Sequence, residues 1–82
     1  MPTLDFAGPR SRTFPARGLL VIQLHDSLWR VTLEAGDVVG YVERFETPAG
    51  GRYRAKRFLP RQRRFLVDGE FWEMGDALAC FQ

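Results

Sequence analysis

Between residues 28 and 33 the chain alternates cleanly, with Trp29, Val31 and Leu33 interleaved by Arg30 and Thr32. A period of two belongs to a strand with one face buried. Glu34-Ala35-Gly36-Asp37 then closes a hairpin, because Gly36 can take positive φ, and residues 38–45 form the return strand. Upstream, Leu19-Leu20-Val21-Ile22 predicts a first strand and His25-Asp26-Ser27 a turn. Downstream, Glu46 to Gly51 reads as a turn around Pro48, Arg52 to Leu59 as a strand, Pro60-Arg61-Gln62 as a turn and Arg63 to Val67 as a strand. The connections are too short for crossover helices, so the sheet must be antiparallel.

After Asp68-Gly69 the period changes. Phe71, Met74, Leu78 and Phe81 fall three or four apart, as on one face of a helix. Glu73 stands at its cap position, and Glu73 with Asp76 sets negative charge at the positive end of the helix dipole. Gly75 weakens the helix by about 1 kcal/mol against alanine. Residues 1–18 carry Pro2, Pro9 and Pro15 at intervals too short for a regular element and read as a flexible arm, with Phe6 and Phe14 as anchors. Residues 19–82 make the single domain. The fold class expected is α+β, a three- to five-stranded antiparallel meander sheet packed by one short C-terminal helix.

Composition narrows the chemistry. A chain of 82 residues supports one small core, to which Trp29, Trp72 and the small hydrophobe Cys80 are expected to contribute. One cysteine and one histidine exclude an internal disulfide and the usual Cys/His zinc site, and this cysteine usage points to the cytoplasm. No apolar run approaches membrane-spanning length, and Met1 to Asp5 lack the basic start of a secretory signal. His25, Asp26 and Ser27 are adjacent, and neighbours on a chain point apart, so they do not read as a hydrolase triad. No paired carboxylates, phosphate loop or activated nucleophile assemble at usable spacing. The expectation is a non-enzymatic chain with no cofactor, no metal, no membrane contact and no small-molecule substrate.

Charge is segregated. Residues 1–51 hold five arginines against six acids, residues 52–64 seven basic groups and no acid, and residues 65–82 four acids and no base. The central block attracts phosphate, although Asp68, Glu70, Glu73 and Asp76 could neutralise it within the chain. On the 52–59 strand Tyr53 and Ala55 point one way while Arg54 and Lys56 point the other. Phe58 falls on the basic face, where it needs a cover or a base to stack on.

Two stretches carry a resemblance. Gly69-Glu70-Phe71, followed by Asp76-Ala77-Leu78-Ala79-Cys80-Phe81, is similar to the Gly-x-Phe and acidic-Ala-x-x-x-aromatic ending of AP2-type DNA-binding domains and of the arm-binding N-terminal domains of tyrosine integrases. Gly51-Arg52-Tyr53-Arg54-Ala55 resembles the Gly-x-aromatic-x-Ala strand of the same fold, so that the likeness covers residues 38–82. It implies three antiparallel strands backed by a helix, with Gly69 and Phe71 turning the last strand into that helix, Ala77 packing it closely and Phe81 filling the core. It also implies that Arg52, Arg54 and Lys56 face the DNA major groove.

Two functions follow as expectations. The first is a nucleic-acid-binding module that holds double-stranded DNA through Arg52, Arg54, Lys56, Arg61, Arg63 and Arg64. The second is a protein-interaction or self-associating module that uses the sheet face or an edge strand and has no nucleic-acid role.

Overall fold

A computed structural model describes residues 13–16 and 18–81. Six strands follow one another: β1 (Thr13–Ala16), β2 (Leu19–His25), β3 (Leu28–Leu33), β4 (Val38–Thr47), β5 (Gly50–Leu59) and β6 (Arg64–Phe71). One helix, α1 (Met74–Ala79), closes the series. Each strand pairs antiparallel with its sequence neighbour, so the sheet order is β1-β2-β3-β4-β5-β6. The α+β meander with a C-terminal helix is therefore the fold, with one strand more than the upper expectation. Among the described residues, no helix is long and apolar enough to cross a membrane.

The additional strand comes from the segment expected to be an arm. Thr13–Ala16 pairs with Leu19–Ile22, and Pro15 sits opposite Leu20. Proline donates no hydrogen bond, which restricts it in a sheet to an edge, and β1 is an edge. Residues 1–12, with the anchor Phe6, lie outside the described residues, as does the side chain of Phe14.

Registers separate the two faces of the sheet. Leu19, Val21, Val31, Val42 and Ala55 lie on one face and are buried, together with Ala77 and Leu78 of α1. This helix face gathers a partly buried rim of Trp29, Val39, Tyr53, Phe71, Met74, Cys80 and Phe81. Burying a valine such as Val21, Val31 or Val42, all at 0% exposure, contributes about 1.5 to 3 kcal/mol. Gly40 makes the close approach that seats the helix end. A Cβ there would lie 2.2 Å from the Lys56 carbonyl oxygen and 2.4 Å from Cε1 of Phe81.

Three boundaries depart from the sequence reading. The turn expected over 46–51 shrinks to Pro48-Ala49, because Thr47 Oγ1 donates to the Gly50 carbonyl at 2.7 Å and accepts from the Ala49 amide at 3.1 Å. These bonds carry the ladder on to the pair Thr47–Gly50. β6 runs past Val67 to Phe71 through a bulge at Asp68, which faces no single partner as the register shifts between Ala55 and Lys56. Phe71 thus reaches the core from a strand, opposite Tyr53, rather than from the helix. The helix itself is only six residues, and Glu73 occupies its N-cap without a side-chain hydrogen bond.

Candidate functional site

Strand alternation puts Arg52, Arg54, Lys56 and Phe58 on the face of β5 away from α1, since Tyr53 and Ala55 face the core. The β4–β5 register brings Phe45, Glu43 and Tyr41 opposite Arg52, Arg54 and Lys56. The β5–β6 register brings Glu70 opposite Arg54 and Val67 opposite Lys56. Arg54 therefore has a carboxylate directly across on each neighbouring strand, the arrangement that opposite charges favour in a sheet, and Lys56 lies on the diagonal to Glu43.

All three cations are engaged. Lys56 Nζ donates to Glu43 Oε2 at 3.0 Å. Arg54 reaches Glu70 Oε2 at 3.1 Å and Glu43 Oε1 at 3.6 Å, and its guanidinium lies 4.4 Å from the Phe45 ring centroid. Arg52 donates from Nη2 to the Glu70 carbonyl at 2.8 Å and stacks 4.5 Å above the Trp72 ring. Its buried Nε finds no hydrogen-bond partner among the described residues. About a third of each ion-paired side chain remains exposed, so each pair contributes at most about 1 kcal/mol. The electrostatic effect is larger than the energetic one. Two carboxylates and two aromatic rings occupy the groups that the DNA expectation assigned to phosphates and bases.

The remaining expected site residues lie elsewhere. Arg61 and Arg63 sit in the exposed β5–β6 turn, closed by the Arg63 amide on the Pro60 carbonyl at 3.2 Å, with Arg63 at φ 53°. Arg64 opens β6 opposite Leu59, in the row of the helix face rather than of Arg52, Arg54 and Lys56. Among the described residues, Arg61, Arg63 and Arg64 make no ion pair. The six residues thus form two groups, one engaged within the sheet and one exposed at a sheet corner.

Sequence reasoning passed over three contributors. Glu43 reads in the sequence as an ordinary strand residue, yet it anchors both Arg54 and Lys56. Arg57 turns to the helix face, where it pairs with Asp68 at 3.0 Å and donates to the Cys80 carbonyl at 3.0 Å. It supplies the positive charge that the last turn of α1 lacks. Phe65 supplies the cover that Phe58 needs on the basic face, at 5.3 Å from Phe58 and 5.5 Å from Tyr41.

The largest departure is at β6. Phe65, Leu66 and Val67 are consecutive, apolar and 45%, 47% and 51% exposed. Among the described residues they lie on the last strand of the sheet, and no strand pairs with its outer edge. Trp72, expected in the core, is 53% exposed beyond the strand end, with Arg52 on its ring. Trp29 meets the core expectation, packed at 6.0 Å from Tyr53.

His25 is exposed at the end of β2, and its Nδ1 accepts from the Ser27 amide at 3.3 Å. Cys80 is half-buried beside a shallow depression lined also by Val39, Arg57 and Phe81. Burial raises its thiol pKa, the Asp68 carboxylate adds to the rise, and Arg57 opposes it. Among the described residues, no three His, Cys, Asp or Glu side chains are grouped to hold a metal ion. No protein-family model, curated protein or solved structure matches the chain.

Proposed function

We propose that this chain is a protein-interaction module whose docking element is the outer edge of β6, completed by an extended polypeptide segment that adds as a further strand. The observation that carries this reading is the exposed run Phe65-Leu66-Val67 on an edge strand. An unpaired edge offers a row of backbone donors and acceptors, and soluble proteins usually blunt such edges with charge, proline or bulges. The two ends of this sheet differ in that respect. β1 has Pro15, whereas β6 has no proline, and its charges Arg64, Asp68 and Glu70 and its bulge at Asp68 flank the run Phe65-Leu66-Val67 without interrupting it. A strand added along β6 would take main-chain hydrogen bonds for affinity and alternate side chains for specificity.

A photo-crosslinking amino acid at position 66 tests the reading in the full chain, with position 46 as the remote control. Polypeptide adducts at 66 and not at 46 are the expected result. Equal yields at both positions, or none at 66, would refute an edge-directed module.

A second reading, nucleic-acid binding, is favoured by the ion-pair-free trio Arg61, Arg63 and Arg64 at the sheet corner. The sequence resemblance to DNA-binding domains supports it, while the ion pairs of Arg54 and Lys56 and the contacts of Arg52 with the Glu70 carbonyl and Trp72 move its contact surface from the sheet face to the turn. Three phosphate contacts would give a slope of log K against log salt of about −3 with duplex DNA. No change in slope for Arg61→Ala/Arg63→Ala would exclude the turn.

A further inference from the structure

We infer that the strand completing the β6 edge is β6 of a second copy of this chain, in antiparallel register with Leu66 opposite Leu66. This inference rests on the edge-docking reading and names its partner.

The edge is self-complementary in face and in charge. In a continuous antiparallel sheet, residues directly opposite each other share a face. Phe65 pairs with Phe58 and Val67 with Lys56, which puts both on the face away from α1, while Leu66 pairs with Arg57 on the helix face. A two-fold contact brings the same patch of each copy together, each residue meeting its counterpart by symmetry. Face matching requires the axis to pass through a residue of β6 rather than between two. An axis at Phe65 would set Arg64 against Leu66 and run the turn residue Arg63 against Val67. An axis at Val67 would set Phe65 against Gly69, which has crossed to the other face beyond the Asp68 bulge.

An axis at Leu66 meets neither obstacle. It places Phe65 opposite Val67 of the second copy, twice, around a central pair of leucines. It also places Arg64 opposite Asp68 of the second copy, twice. Asp68 directs Oδ2 at Arg57, and Oδ1 has no partner among the described residues. Arg64 makes no ion pair among the described residues. Each strand thus sets an Arg64 without an ion pair against the Asp68 carboxylate of the other, which already holds Arg57 through Oδ2 and would take the second cation through Oδ1. The bulge that ends pairing in one copy falls beside the turn that ends it in the other. The shared segment is short, below the area of a standard interface, so association is concentration-dependent rather than obligate.

The register makes position 66 its own neighbour, which gives a sharp test. Leu66→Lys and Leu66→Glu alter an exposed side chain and leave the core untouched. Sedimentation equilibrium of the wild type should show a mass that rises toward twice the chain with concentration. Each variant alone, with its like charges facing across the axis, should need at least about tenfold more protein to reach the same dimer fraction. An equimolar mixture should recover dimer as the Lys/Glu heterodimer. Amide exchange supplies the second measurement, with protection of the outward-facing amides within residues 64–67 rising as the wild type dimerises. A wild type that stays monomeric at millimolar concentration overturns the inference, as does a dimer indifferent to both variants. The crosslink at position 66 separates this failure from that of the edge itself. Adducts of twice the chain mass support self-pairing, adducts to another polypeptide overturn it while leaving an edge-directed module, and no adducts at 66 remove both.

Discussion

Gly40→Ala is expected to be the most costly glycine-to-alanine change among the described residues, and its cost follows from two contacts. The added Cβ would stand 2.2 Å from the Lys56 carbonyl oxygen and 2.4 Å from Phe81 Cε1, where non-bonded atoms prefer about 3.5 to 4.0 Å. The carbonyl belongs to β5 and can retreat only by opening the β4–β5 ladder. Phe81 must therefore leave its place against the core. Overpacking strain of about 1 to 3 kcal/mol adds to about half of a phenylalanine's packing, roughly 2 kcal/mol, since the ring is half-buried. The sum is about 3 to 5 kcal/mol. An 82-residue domain holds roughly 4 to 12 kcal/mol in all. The midpoint of thermal unfolding should fall by at least about 12 °C.

Circular dichroism melts and urea titrations measure this directly, with Gly75→Ala as the control. A Cβ at Gly75 meets nothing within 4 Å, and the residue lies in α1, so that variant should gain about 0.5 to 1 kcal/mol. Adding Phe81→Ala to Gly40→Ala should cost less than the two changes summed, because the obstacle is then gone. A Gly40→Ala protein melting within about 4 °C of wild type, or strict additivity with Phe81→Ala, would refute the reasoning.

Three further outcomes are expected. Arg63→Gly should raise stability by about 0.5 to 1 kcal/mol in urea unfolding, since glycine relieves the left-handed backbone at φ 53° and its greater freedom in the unfolded chain offsets part of the gain. Glu43→Gln with Glu70→Gln should release Arg54 and Lys56 and steepen the salt dependence of duplex-DNA binding by about two units of slope; an unchanged slope would mean that the paired face never reaches phosphate. Cys80 should react with iodoacetamide more slowly than a model thiol at pH 8, with its rate profile displaced to higher pH, because burial holds the thiol protonated. The same shift makes the folded state lose stability as pH climbs past the ordinary thiol range.

Local patterns made the hairpins legible. Alternation from Trp29 to Leu33 and the turn at Gly36, which has φ 107°, give β3 and β4 directly. The direction of Arg52, Arg54 and Lys56 also follows from alternation against buried Ala55. Their partners were less accessible. Glu43 meets Arg54 only because the β4–β5 ladder is centred on Pro48-Ala49, and a slip of one residue would send Glu43 to the other face. The signal was present, since the turn expected over 46–51 has the same centre, but it becomes useful only once residues are paired across it. The bulge at Asp68 left no local mark, and it is what turns Phe71 toward the core. Exposure of Phe65, Leu66 and Val67 was hidden for a different reason: an apolar run reads as interior until the sheet is seen to end there.

The strict neighbour-to-neighbour order of the sheet also governs how the chain can be made. No pairing waits for a distant segment, so loop-closure entropy is met in hairpin-sized steps rather than in one large one. As synthesis proceeds from the N-terminal side, each strand finds its template already in place on the strand before it. The apolar segment Phe65-Leu66-Val67 follows five strands in chain order. It emerges onto a prepared β5 edge, and only its outer side is left open to a neighbouring chain. This exposed apolar run is thus open on both sides only until it pairs with β5.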